Sequence, residues 1–235
     1  MAWKKRNMIL YLVFALIFHI FSFLGIFDVY FRSPIVQNVE PVESDLEPLA
    51  KRVVLFLSDS LRADMAFSNF RYPDGTFKPL TPFLHSKVTA KGSFGVSHAK
   101  MPTETGFGHM SILSGFYGDL SSIGKGFFSP KIPFDSIILQ SKYFFATALN
   151  GFESHFAPHG KFPSSVYFVE YGSENVIAHP GLTDQWVVDE VTKLFQSAES
   201  DPMLRKKLHS NGIGFYFYFG GMDKCGHSRK PMSKM

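Results

Sequence analysis

Residues 8–27, MILYLVFALIFHIFSFLGIF, constrain this chain more than any other stretch. They form a nearly unbroken apolar run of about twenty residues, the length a helix needs to cross a hydrocarbon core about 30 Å thick. Only His19 and Ser22 are polar within it, and neither carries an obligatory charge. A helix buried in a soluble core is rarely this long and apolar on every side. The competing reading is a cleaved signal peptide. Its apolar stretch, however, is usually about 7–15 residues, and no small-x-small cleavage pattern follows cleanly here. We therefore expect a signal anchor at 8–27 with a cytosolic stub at 1–7. Lys4, Lys5 and Arg6 precede the run, which keeps the N-terminus cytosolic and translocates everything after Phe27.

Residues 28–50 carry Pro34, Pro41, Pro48 and several acids and read as a juxtamembrane linker. The rest, 51–235, is long enough for an α/β domain with a core. The net charge is +4, much of it at the two ends of the chain, and does not suggest a nucleic-acid partner. The single cysteine, Cys225, excludes an intramolecular disulfide and leaves the compartment to be decided by the anchor. Nothing marks it as a nucleophile.

Arg52–Ser58, RVVLFLS, is apolar on both faces and predicts a strand at the centre of a parallel sheet. Further strands are expected at 143–149 and 213–220, with a short one before Thr103. Helices are expected at 81–90, from Thr103 to about Tyr117, and at 183–195, with Thr183 as its cap and Trp186 facing in. Residues 68–78, 121–133, 151–182 and the basic run Arg205-Lys206-Lys207 read as loops. Strands alternating with helices indicate a mostly parallel α/β sheet with flanking helices.

In such a sheet, functional groups gather beyond the carboxyl ends of strands. Asp59 follows one predicted strand, Thr103 another, and Asp223 with His227 a third. Taken alone, each has an ordinary explanation. Asp59 suits a turn, Thr103 a helix cap, and Asp-x-x-x-His with an intervening Gly a loop. Together they resemble half of a two-metal site for phosphoryl chemistry, in which a cation activates an otherwise weak threonine hydroxyl. Carboxylates, imidazole and an alkoxide are suitable zinc donors.

Leu57-Ser-Asp59-Ser-Leu-Arg-Ala-Asp64, Met101-Pro-Thr103-Glu-Thr-Gly-Phe-Gly-His109 and Gly221-Met-Asp223-Lys-Cys-Gly-His227 resemble the ordered metal motifs of the alkaline phosphatase superfamily. Phe27-Asp-Val-Tyr-Phe-Arg-Ser-Pro34, Gly95-Val-Ser-His98, Ser114-Gly-Phe-Tyr117 and Ser141-Lys-Tyr143 extend the resemblance. Within the superfamily it is to the GPI ethanolamine phosphate transferases of first-mannose type. The resemblance implies an alkaline-phosphatase-like sheet and two Zn2+ per complete site. Asp59 and Thr103 would serve one ion, Asp223 and His227 the other. It implies that Thr103 takes phosphoethanolamine from phosphatidylethanolamine and passes it to a mannose of the GPI precursor. The setting would be the lumenal side of the endoplasmic reticulum membrane.

The chain departs from the family pattern at Ser60, where glycine is usual and a positive φ would strain serine. It departs also at Thr105-Gly106-Phe107 and around Leu149-Asn150-Gly151. A later Asp-His pair and a further His, which complete the zinc shells, have no counterpart, so the chain reads as a truncated, incomplete domain with weak zinc affinity and little activity of its own. His109 and Arg62 are possible outer supports of the site, although Arg62 equally suits an ion pair with Asp64. His98 has the same standing as His109, and His155 and His159 lie in a predicted loop. A membrane-anchored nucleotide phosphodiesterase on the same template and a non-catalytic lumenal partner protein are the alternative readings.

Overall fold

The computed structural model describes residues 2–31, 45–100, 103–115, 117, 135–148, 152–157, 161–171 and 180–229. In chain order the elements are α1 (Ala2–Phe31), β1 (Arg52–Ser58), α2 (Ala63–Phe67), β2 (Asn69–Arg71), β3 (Phe77–Pro79), α3 (Pro82–Ala90), α4 (Thr105–Ser114), α5 (Ile137–Gln140), β4 (Tyr143–Ala148), α6 (Phe152–Phe156), β5 (Val166–Glu170), α7 (Pro180–Ser200), α8 (Pro202–Leu208), β6 (Ile213–Phe219) and α9 (Gly221–Arg229). Four strands make one sheet in the order β1-β6-β4-β5, and β2 and β3 form a separate pair. Every pairing in the larger sheet is parallel, so its carboxyl ends share one edge.

The core is built on β6 and β4. Strict alternation in Phe215-Tyr-Phe-Tyr-Phe219 sends phenylalanines to one face and tyrosines to the other. On the first face Phe215 stacks on Phe145, with Phe195 of α7 6.1 Å away. On the second, Tyr216 stacks on Phe152 and meets His109 of α4 edge-on. Helices thus cover both faces of the inner strands. Gly214 is required by this packing. A methyl there would stand 2.5 Å from Phe144 Cδ2, and Phe144 is 2% exposed. Gly214→Ala is expected to cost about 1–3 kcal/mol through overpacking. The expected reading is a melting temperature lower by roughly 2–4 °C per kcal/mol.

Helix α1 includes Lys4–Asp28, a segment long and apolar enough to cross a membrane. Its large apolar side chains from Met8 to Phe27 are 44% to 75% exposed, so protein packing does not shield them.

Several expectations change. β1 lies at an edge of the sheet, not its centre, and Val53, Val54 and Phe56 are 47%, 50% and 65% exposed. Its apolar composition reported strand type correctly but not the number of strand neighbours. Residues 93–100 form no strand, so the short strand expected before Thr103 is absent among the described residues. Residues 69–79 form a hairpin around Asp74, whose carboxylate accepts from the Thr76 N–H and hydroxyl. The predicted loop 151–182 contains α6 and β5 and the start of α7. Because α7 begins at Pro180, a residue suited to a first turn, Thr183 lies inside it, fully buried, and is not its cap. The basic run belongs to α8, where Asp201 accepts from the N–H groups of Met203 and Leu204 and the cations fall in the last turn. Trp186 does face inward, edge-on to Tyr171. Residues 121–133, Leu149-Asn150-Gly151, His159 and the side chain of His155 lie outside the described residues.

Candidate functional site

The site builds from the adjacent tips of β1 and β6. Ser58 pairs with Phe219, and the Asp59 N–H extends the ladder by donating to the Phe219 carbonyl at 3.0 Å. Asp59 is therefore held by backbone as it leaves the sheet. Its Oδ2 accepts from the Tyr218 hydroxyl at 2.8 Å and from Thr105 Oγ1 at 3.0 Å. Both bonds fall on one oxygen, leaving Oδ1 without a protein partner among the described residues. Tyr218 is 1% exposed, and burial first, then the bond to Asp59, raise its pKa, so it stays a donor.

Beyond β6 the chain turns directly into α9, contrary to the expected loop. The Asp184 carboxylate of α7 accepts from the Gly221 N–H at 2.8 Å, serving one of the orphan donors at this helix start. Burial raises the Asp184 pKa, opposed by that N–H and by Lys224. On α9, Asp223 and His227 are one turn apart and share a face. Asp223 Oδ2 lies 3.5 Å from His227 Nε2, while Asp223 Oδ1 accepts from Ser60 Oγ at 2.8 Å. Ser60 follows Asp59 directly, so one serine ties the two carboxylate clusters together. Its φ of 58° is the left-handed value that makes serine at this position strained.

Thr103 lies ahead of α4, whose N-cap is Glu104, so it is not the cap of that helix. It is exposed, two residues before the Thr105 that bonds Asp59. Two of the three converging segments are thus strand tips, and the third is an irregular segment entering a helix. Arg62 holds Asp64, with Nε donating to Oδ1 at 3.0 Å. The Asp64 carboxyl is pulled below its usual range mainly by that hydrogen bond. His109 is 5% exposed and shares a 3.2 Å hydrogen bond with the Tyr216 hydroxyl. Burial lowers its pKa to about 4, with the Asp59 charge opposing, so it is a neutral core histidine behind Asp59. His98 is exposed.

Two carboxylates, an imidazole and a hydroxyl are a donor set that zinc accepts. Each of the two pairs expected from the sequence, Asp59 with Thr103 and Asp223 with His227, offers two donors. Among the described residues no group of three or more His, Cys, Asp or Glu side chains is placed to hold an ion.

No family model matches the chain, and no solved structure matches it. Matching proteins are named GPI ethanolamine phosphate transferase 1. The one from Homo sapiens is 34% identical over 230 residues, 97% of this chain and 24% of its own length. Those from Saccharomyces cerevisiae and Emericella nidulans are 32% and 35% identical over 98% and 95% of this chain. The chain is a homologue of GPI ethanolamine phosphate transferase 1. It spans about a quarter of the length of these transferases, 25% of each fungal protein.

Across that homologous quarter, the sequence exposed the carboxylates but not their supports. Tyr218, Thr105, Ser60 and Asp184 all bond to or orient site groups. The Phe/Tyr alternation of β6 was the available signal for Tyr218, since it puts Tyr216 and Tyr218 on one face. Nothing local marks Thr105 or Asp184, whose partners lie far away in the chain.

Proposed function

We propose that this chain forms the nucleophile-bearing part of a phosphoethanolamine transferase of GPI-anchor biosynthesis, built on an alkaline-phosphatase-type sheet. The observation that carries the reading is the Ser60 bridge. It joins Asp59 and the Asp223–His227 pair at neighbouring strand tips, and Asp59 is bonded to Thr105, two residues from Thr103. The homologues' name supplies the transferred group and the acceptor.

On this reading the hydroxyl of Thr103 attacks the phosphorus of phosphatidylethanolamine. The bond from Thr103 Oγ1 to phosphorus forms as the bond to the glycerol oxygen breaks, and diacylglycerol leaves carrying a proton. A mannose hydroxyl of the GPI precursor then takes the phosphorus, and Thr103 regains its hydrogen. Asp59 and Thr103 would hold one zinc ion, Asp223 and His227 a second, with further ligands supplied from outside these residues. Bound zinc would lower the hydroxyl's pKa and neutralise the phosphoryl oxygens. Tyr218 and Thr105 keep Asp59 turned toward that space, and Asp184 keeps α9 seated on β6. Buried His109 supports the tyrosine face without changing charge at neutral pH.

Donor and acceptor are lipids, which gives the helix at 8–27 its purpose. We place the chain in the endoplasmic reticulum membrane, with 1–7 cytosolic, 28–50 a linker and 51–235 lumenal. Lys4, Lys5 and Arg6 support that orientation. The test is a chimera in which residues 1–235 replace the matching quarter of the Saccharomyces cerevisiae relative, in cells lacking that relative. Mass spectrometry of GPI precursors is expected to show phosphoethanolamine restored on mannose. A chimera that reaches the membrane and folds yet leaves the precursors unmodified would overturn the reading.

A further inference from the structure

We infer that Ser60 is a positioning residue for the cation site, one whose hydroxyl fixes Asp223 at the expense of a strained backbone. The inference rests on the metal reading proposed above. Among the described residues Ser60 is the one non-glycine residue with positive φ, at 58°. An L-residue with a side chain is unfavourable there, whereas glycine adopts this conformation freely. On one side of Ser60, the Asp59 N–H is held in the ladder by its bond to the Phe219 carbonyl. On the other side, Ser60 Oγ donates to Asp223 Oδ1 at 2.8 Å, across 163 residues of sequence.

Stability alone does not explain this choice. Ser60 is exposed, and a solvent-accessible hydrogen bond adds little to folding. What glycine lacks is the hydroxyl. Occupying Oδ1 leaves Oδ2 as the oxygen facing His227 Nε2, 3.5 Å away, and holds that pair beside the Asp59 tip. Backbone strain kept where a relaxed residue exists points to geometry as the gain. Partners that orient metal ligands commonly govern affinity in this way.

The test uses the Saccharomyces cerevisiae chimera described above, which supplies the remaining ligands, purified in detergent micelles with Ser60 (the wild type of this comparison), Ser60→Gly or Ser60→Ala. Melting temperature is measured in chelator, and apparent zinc affinity by competition with a chromophoric chelator. Ser60→Gly is expected to melt a few degrees higher, on the order of 2 °C, because the strain is relieved. It is also expected to bind zinc about tenfold more weakly. Ser60→Ala keeps the strain and loses the hydroxyl, so affinity falls equally without the rise in melting temperature. A purely structural serine would not move stability and affinity in opposite directions. Wild type and Ser60→Gly binding zinc equally would overturn this inference alone. A wild type that takes no zinc overturns the metal reading and this inference with it. A Ser60→Gly chain that melts no higher than wild type removes the strain argument and overturns the inference as stated.

Discussion

Thr103→Ala is expected to abolish phosphoethanolamine transfer in the chimera, with a loss of at least about a thousandfold, because removing a nucleophile removes the covalent path itself. The variant also separates the proposed role from that of a helix cap. Loss of a cap hydroxyl costs about 1 kcal/mol of stability. Here the N-cap of α4 is Glu104 and Thr103 is exposed outside it, so the melting temperature should hardly change while transfer disappears. Thr103→Ser keeps a hydroxyl at the same carbon and is expected to retain measurable transfer. Without acceptor, the wild type should accumulate an ethanolamine-phosphate ester on Thr103, visible by peptide mass spectrometry and missing from the alanine variant. Normal transfer by Thr103→Ala would remove the nucleophile assignment.

Stability is expected to fall on mild acidification, and His109 is the main identifiable cause. Its folded pKa, about 4, lies below the ordinary histidine value of 6.5 because the ring is buried. As pH falls, the unfolded chain binds this proton first. The contribution is therefore fully present above pH 6.5 and is lost progressively toward pH 4. A shift of this size corresponds to about 3 kcal/mol. Asp184 acts in the opposite sense. Its carboxyl pKa is raised, so its burial is least costly once it is protonated, and it gains stability as pH falls. Comparing wild type with His109→Gln isolates the histidine. Urea unfolding across this pH range should give a much shallower decline for the variant. Parallel declines in both proteins would show that protonation of His109 does not drive acid sensitivity.

Much of the sheet was legible from composition, and its arrangement was not. The runs at 52–58 and 213–219 read as strands because strands of a parallel sheet tolerate apolar residues on both faces. That same property hid the position of β1, since an edge strand with exposed Val53 and Phe56 looks like a central one in sequence. Val166–Glu170 escaped notice among glycines, prolines and histidines, although it completes the sheet beside β4. Gly226 suggested a loop at 222–227, but tertiary contacts, including Asp184 at the helix start, outweigh one glycine's helix penalty of about 1 kcal/mol. At the site, Asp59, Asp223 and His227 stood out because charged residues directly after apolar strands are conspicuous. Tyr218 and Thr105 did not, because their value lies in reaching Asp59 from elsewhere in the fold. The strain foreseen at Ser60 is present at φ 58°, yet its bond to Asp223 could come only from three dimensions.

The outward rim of β1 also governs how this chain behaves in a tube. Among the described residues its one strand neighbour is β6, so a row of amide and carbonyl groups faces away from the sheet beside greasy Val54 and Phe56. Such a rim is a template on which another chain's strand can zip. Self-association at high concentration is then a property of the sheet itself, separate from whatever detergent does for the apolar helix α1.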